Sequence, residues 1–391
     1  MIRWLSRNHE VVVASIARSP QELEEGREIA QFCHRYECGL ISPLRARLQA
    51  LSCVLSNRPS SLGYFCVPQL QKSVRALLQQ EQFDLIWVHC SSAAQYVLKH
   101  TGSYRIMDFG DMDSEKWYQY ARKRPFPLSL VYHLEGYKLR RYEKRLARAF
   151  NECTVISSGE KRILDSYGLG VPVTVVPNGV DLSFFSNEQS DYDPKSLIFL
   201  GRMDYYPNID AVIYFCRDIL PLIQEEISDV KFTIVGSNPV GRVKDLAHLP
   251  GVSVTGAVAD VRPFLCRAAV SVVPLRIASG VQNKVLESMA MKVPVVASSR
   301  AFQGVNALET EHLLVDDSAM GFATKVLSLM KNPSLRQRIA EAGRKRVESC
   351  HSWEACLRLL DQLLEPRILE ITKRARAEAY ASVPLTSEIP P

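Results

Sequence analysis

The sequence predicts an α/β protein made of two doubly wound, Rossmann-like domains that face each other across a cleft. Three observations carry that expectation. Short β-branched apolar runs alternate with amphipathic helical patterns, which is the signature of parallel sheets covered on both faces. The runs form two groups, separated by the polar, non-periodic stretch 183–195 (SFFSNEQSDYDPK), which reads as a linker. The length, 391 residues, exceeds what one ordinary core fills and suits two.

The first group of strands lies at 10–16 (EVVVASI), 84–89 (DLIWVH), 104–108 (YRIMD), 153–157 (CTVIS) and 172–177 (PVTVVP), with helical patterns at 68–81 and 134–149. The second lies at 196–201 (SLIFLG), 230–236 (VKFTIVG), 251–256 (GVSVTG), 269–274 (AVSVVP) and 293–298 (VPVVAS), with helices at 208–227, 283–292, 318–331 and 333–349. Domains are therefore expected at 1–182 and 196–350. Beyond them, 351–366 reads as an amphipathic helix with Trp353, Leu357, Leu360 and Leu364 on one face, stopping near Pro366, and 367–391 as a loose tail. A doubly wound domain opens with a strand, a glycine-bearing loop and a helix. Here IRWLSRNHE reads as the end of a helix and passes straight into EVVVASI. The first domain is thus expected to lack its first β-α unit, a loss that leaves two neighbours of a central strand unpaired.

Composition narrows the class. Hydrophobic residues at 47% and charged residues at 23% exclude a mostly disordered or fibrous chain. No apolar run approaches the length of a bilayer-spanning helix, and the N-terminal stretch lacks a signal peptide's apolar centre and cleavage site. The formal charge, 48 − 42 = +6, suits phosphate-bearing ligands or an anionic membrane surface but does not by itself indicate nucleic acid. The ten cysteines are scattered, with no C-x-x-C pair, so neither a zinc knuckle nor a disulfide framework is expected. A reduced, cytosolic protein is the expectation.

In open parallel sheets, ligands bind outside the carboxyl ends of the strands, where helix N-termini offer free N–H groups to anions. Three segments occupy such places. In 172–185 a strand ends at Pro177 and Asn178-Gly179 makes a tight turn before Asp181. In 274–298 a loop containing Gly280 leads into a helix near Asn283. The N–H groups of Val281, Gln282 and Asn283 would face a diphosphate, Lys284 would add a mobile positive charge, and Glu287, on the same helix face, would accept hydroxyls from a ribose. The alternative is an ordinary solvated Lys–Glu pair. In 198–212, Arg202 follows a strand and Gly201, placed to reach a diphosphate with its fork, or else is a plain surface arginine.

Around these, Asp108, Asp111, Asp113 and Glu115 follow the strand YRIM, where carboxylates would face the cleft and bind an acceptor hydroxyl. Asp113 or Ser114 alternatively caps the helix EKWYQYA. His89 ends the strand DLIWVH, in a place where a lone histidine is more often structural. The helix 137–150 carries Lys138, Arg140, Arg141, Lys144, Arg145 and Arg148, either a solvated face or a docking surface for anionic lipid. No aromatic stacking platform accompanies these charges, so nucleic acid is not an expected partner.

Taken whole, P-N-G-V-D-x-x-x-F at the end of the first domain and E-x-M-A-x-x-x-P-V-V from Glu287 resemble family-four GT-B glycosyltransferases, the retaining, nucleotide-sugar-dependent class. The strings P-N-I-D-A at 207–211, DFGDMDSEKWYQYA at 108–121, SGVQNKVLESMAM and HSWEA resemble the sugar transferases of PEP-CTERM/EpsH-type exopolysaccharide systems. The resemblance implies a GT-B architecture and a donor site at Gly201, Arg202, Gly280, Val281, Gln282, Asn283, Lys284 and Glu287. It also implies cleft or hinge roles for Asn178, Gly179 and Asp181, and catalytic roles for Asp108 and Asp111. The donor would be a nucleotide-diphosphate sugar and the acceptor a glycan or polyprenyl-linked glycan, with no metal or other cofactor. The setting would be cytoplasmic, peripheral at the inner face of the membrane, and the last helix would cross back to the first domain.

The chain departs from the family pattern at three places. Ser279 stands where the first glutamate of Glu-x₇-Glu is usual, Pro207 where a lysine follows the arginine, and aspartates where a histidine is usual. Two other readings follow: a GT-B nucleotide-sugar epimerase, and a non-catalytic sugar-nucleotide-binding scaffold.

Overall fold

A computed structural model of the protein describes residues 1–54, 56–186, 192–278 and 280–381. The apolar runs are strands and every sheet is parallel. In the first domain Val12–Ala17 (β1) pairs with Arg35–Leu40 (β2). Leu85–His89 (β3), Tyr104–Gly110 (β4), Glu152–Val155 (β5) and Val173–Val175 (β6) form a separate sheet in the order β3-β4-β5-β6. Among the described residues β1 and β3 are each paired on one side only. Strand β4 is buried at every residue after Tyr104, and β5 throughout, whereas β1 and β3 are mostly half-covered. The sequence pattern passes over β2 because RYECGL contains no β-branched residue.

The second domain is one continuous sheet of Asp193–Leu200 (β7), Lys231–Val235 (β8), Val252–Val254 (β9), Ala268–Val273 (β10), Val295–Ala297 (β11) and Leu314–Val315 (β12), in the order β12-β11-β10-β7-β8-β9. Its centre is buried and apolar but for one serine: β10 is buried at all six positions, its Ser271 accepting from Ser288 Oγ, and Phe199, Phe215, Phe232 and Phe322 fill the space between sheet and helices. Strand β7 begins at Asp193, inside the stretch expected to be linker, while 187–191 lie outside the described residues.

The helices that place the site are Pro43–Val54 (α1), Pro68–Gln80 (α2), Asp113–Arg122 (α3), Leu128–Ala149 (α4), Ser158–Asp165 (α5), Tyr206–Tyr214 (α6), Asn283–Ala290 (α7) and Trp353–Ala381 (α8). The last corrects the expected stop near Pro366 and the expected tail from 367. The helix runs through Pro366, which removes one backbone donor without ending it. Arg367 Nε donates to Glu152 Oε2 at 3.3 Å and Ile368 joins the cluster beneath, so tertiary contacts hold the turn that follows the proline. Leu360, Leu363 and Leu364 pack with Ile106 of β4, alongside Leu85, Trp87 and Tyr104, so α8 lies on the first domain. Trp4 Nε1 donates to Asp361 Oδ1 at 2.9 Å, fastening the N-terminal turn to the same helix. Residues 382–391 lie outside the described residues.

Candidate active site

On the second domain's wall, α7 starts at Asn283 after Gly280, whose φ of +62° suits glycine. The residue before the helix, Gln282, makes no side-chain capping bond. Val281 is buried and Asn283 is exposed. Lys284 is not the mobile cation expected from sequence: it is 9% exposed, with Nζ donating to Asn208 Oδ1 at 2.5 Å and lying 4.3 Å from the Phe199 ring centre. A β-carbon at Gly201 would fall 2.6 Å from Asn208 Nδ2 and 3.1 Å from Lys284 Nζ, so a side chain there would displace this pair. Burial pulls the Lys284 ammonium down to about 7, opposed by the charge of Glu287. The carboxyl of Glu287 is pushed up by burial and drawn back by Lys284.

Asn208 also donates to the Arg202 carbonyl at 2.9 Å, so one amide ties the arginine turn to the lysine. The Arg202 guanidinium is exposed and forked onto Asp204, at 2.8 Å from Nη2 to Oδ2. Pro207 sits in the first turn of α6 and contributes no charge.

Gly179 and Asp181 meet Glu287 through a shared pocket of about 160 Å³, lined in part by Gly179, Asp181, Asn283, Glu287 and Trp353, while Asn178 is not part of its lining. Val180 N donates to the His351 carbonyl at 2.7 Å, and the His351 ring faces the Asn178 carbonyl at 3.3 Å, so the turn is stitched to the start of α8. Asp181 is committed locally: its Oδ1 accepts from Ser183 N, Ser183 Oγ and Phe184 N, which hold its carboxyl below the usual range.

On the first domain's wall, Asp108 is buried and anchors His89. Its Oδ2 lies 2.7 Å from His89 Nδ1, while its Oδ1 accepts from Gly110 N and Thr154 Oγ1. This partnership, helped by Cys90, raises the imidazole to about 10, so His89 is an imidazolium at neutral pH with its ring largely in solvent. Cys90 beside it has a φ of 69°, a strained turn at the strand end. Asp113 does not cap α3, and neither does Ser114. The helix start is capped from outside: Ser114 N donates to Glu143 Oε1 at 2.9 Å and Met112 N to Glu160 Oε2 at 2.8 Å. Both glutamates are buried, and burial pushes each up to about 7. Glu115 pairs with Arg140. The basic helix is accordingly only in part a surface: Lys138 is buried, with Nζ donating to the Cys53 and Val54 carbonyls, while Arg141, Arg145 and Arg148 are exposed.

The two walls touch. Glu160 accepts a second bond from Gly280 N at 3.0 Å, so a single carboxylate joins the start of α3 to the loop before α7. Gln119 Oε1 accepts from Ala278 N at 3.2 Å, and Asp111 packs so closely that a β-carbon at Gly280 would fall 1.7 Å from its Oδ1. Tyr120 meets Tyr206 edge to face, and Arg124 lies over the Tyr206 ring. Ser279, the position of the family's first glutamate, lies outside the described residues.

Residues 1–184 match the family model described as Glycosyltransferase Family 4, and residues 194–332 the model described as Glycosyl transferases group 1. Each of the two domains thus matches a glycosyltransferase domain family, and their arrangement is the GT-B fold. The chain is 30% identical, over 193 residues, to a phosphatidyl-myo-inositol mannosyltransferase of Mycobacterium leprae, covering 46% of this chain and 50% of that protein. It spans about half the length, or less, of the curated relatives it matches. Its fold is that of Anabaena HepE, solved in complex with UDP (TM-score 0.64, 13% identity, 93% of this chain and 94% of the other). It is also that of the sucrose-phosphate synthase of Thermosynechococcus elongatus (TM-score 0.64, 15% identity, 96% and 100%).

Sequence reasoning missed Glu160, Gln119 and Asn208. Ser157-x-x-Glu160 has the form of a capping box, and Ser157 Oγ does accept from Glu160 N, yet the glutamate side chain reaches outward to the other domain. No local pattern announces that.

Proposed function

We propose that this glycosyltransferase moves a sugar, with retention of anomeric configuration, from a nucleotide-diphosphate donor to a hydroxyl of a glycan or lipid-linked acceptor in bacterial exopolysaccharide assembly. The observation that carries the reading is Lys284: a lysine buried in the first turn of a helix without a side-chain cap, at the carboxyl edge of a parallel sheet. A diphosphate at Val281–Asn283 would return that ammonium to full charge and gain from the helix dipole. Arg202, which leaves Asp204 at little cost because both are exposed, would supply a second charge, and Glu287 would take the ribose hydroxyls. Gly179 and Asp181 line the pocket that Glu287 enters, and Asn178 steadies that turn through its carbonyl contact with His351.

The acceptor would enter from the side of His89, Asp108 and Asp111. The His89 imidazolium, oriented by Asp108, donates a hydrogen bond and is not a base, so in this reading the acceptor proton goes to the departing phosphate. The bond from the anomeric carbon to the phosphate oxygen breaks as the acceptor oxygen attacks the same face. The solved relative bound to UDP supports a nucleotide donor, and the mycobacterial relative's name supports a lipid-bearing acceptor. In this reading the enzyme works in the cytoplasm at the inner face of the membrane; among the described residues no helix is long and apolar enough to cross it.

The test is calorimetry with UDP, followed by NMR of the product formed from UDP-sugars and an acceptor panel. Saturable UDP binding with a product of unchanged anomeric configuration is expected. Binding without transfer would leave a nucleotide-binding scaffold, and an isomerised free sugar from donor alone would indicate an epimerase.

A further inference from the structure

Helix α1 is inverted. Its buried residues are the small Ala46 and Cys53, while Leu44, Leu48 and Leu51 are 71%, 60% and 67% exposed. Their spacing of four and three residues puts the leucines in one stripe, with Arg45 and Arg47 flanking it on either side and Ala46 and Cys53 opposite. A helix that only covered the first domain would turn its leucines inward. The charge around the stripe is of one sign: from Cys38 to Gln80 there is no aspartate or glutamate, and Arg45, Arg47, Arg58, Lys72 and Arg75 are the charged residues. The end of α1 is fixed to α4 by Lys138, and α4 adds exposed apolar side chains at Leu130 and Leu134, 60% and 43% exposed.

We propose that α1 is a docking face for an anionic lipid bilayer. Leucines enter the boundary between headgroups and acyl chains, and flanking arginines lay their stems along the apolar stripe while holding lipid phosphates. The charge pattern selects this occupant over a second copy of the chain. A two-fold contact would set the same patch against itself and bring arginines onto arginines with no acidic residue between them. The contact expected at 137–150 is thereby moved: the apolar stripe, absent from that basic run, lies on α1. The inference goes beyond the transfer reaction and does not depend on it.

The experiment is co-sedimentation of the full chain with vesicles of equal parts phosphatidylglycerol and phosphatidylethanolamine, against vesicles of phosphatidylcholine alone. Binding to the anionic vesicles, weakened by salt, is expected. The triple variant Leu44→Gln, Leu48→Gln, Leu51→Gln should lower the partition coefficient at least ~10-fold with an unchanged circular dichroism spectrum. Arg45→Gln with Arg47→Gln should weaken binding to the anionic vesicles and make its salt dependence shallower, whereas Leu249→Gln, at an exposed leucine of the second domain, should change nothing. Equal partition of wild type and triple variant overturns the proposal, as does failure of the wild type to bind. A wild-type dimer in light scattering that the triple variant turns to monomer overturns it in favour of a second copy. Vesicle binding needs no turnover, so an inactive but lipid-bound protein would sink the transfer reading and leave this one standing.

Discussion

The first domain places the carboxylates of Asp108, Glu143 and Glu160 in its interior near the cleft, whereas the second places the ammonium of Lys284. The carboxylates are already committed. Asp108 accepts from two donors and orients His89, Glu143 takes two bonds from Ser114 and one from Tyr167, and Glu160 takes one backbone N–H from each domain. Lys284 has three N–H donors and, among the described residues, one hydrogen-bond acceptor, Asn208 Oδ1. Buried charge on the first wall therefore builds shape, and buried charge on the second, with donors to spare, is what the proposed donor site would use.

Breaking the first wall should have the largest effect. Glu160→Ala leaves the N–H groups of Met112 and Gly280 without their acceptor, and unfolding free energy should fall by on the order of 2–4 kcal/mol, read by urea denaturation. An unchanged midpoint would mean that the carboxylate is not what joins the walls. Lys284→Met keeps the volume and removes the charge. UDP affinity measured by calorimetry should drop by about 1.5–3 kcal/mol while thermal stability holds or rises, because a buried cation is gone. Wild-type affinity would remove Lys284 from the donor site.

Asp108→Asn should separate the walls functionally. Turnover should fall about 10-fold through loss of the oriented imidazolium, with UDP affinity unmoved, since the donor wall is untouched. A parallel loss of UDP binding would show the walls to be one unit. The smallest effect is a linked proton. The Lys284 pKa lies at about 7, so at pH 8 the free amine predominates, and a bound diphosphate would raise the pKa and draw in a proton. Calorimetry in buffers of different ionisation enthalpy should show uptake of a fraction of one proton at pH 8. Affinity should weaken from pH 7 to 9, both effects vanishing in Lys284→Met.

The same contrast separates what the sequence revealed from what it hid. The alternation of β-branched runs with helical periods was enough to locate ten of the strands. Strand β2 was hidden because RYECGL draws its pairing from β1 and not from its own propensity. On the second domain's wall, the residue types of the helix start suggested an anion site but not that Lys284 is covered by Phe199 and Asn208, contacts made by strands and helices distant in sequence. On the other wall, Asp113 looked like a cap while the capping comes from Glu143 and Glu160, far along the chain. Local chemistry is written locally, and partnerships between elements are not.

The packing of α8 on β4 carries a consequence for synthesis. Ile106, fully buried, is sealed by Leu360, Leu363 and Leu364, which are translated only after the whole second domain. Domains fold as they emerge, N-terminal first. A nascent first domain therefore waits on the ribosome with the outer flank of β4 bare, through the time needed to make every strand of its neighbour. Ribosome-bound chains halted before Ser352 should present that flank to a trigger-factor-type chaperone, and chains extended past Ile368 should not.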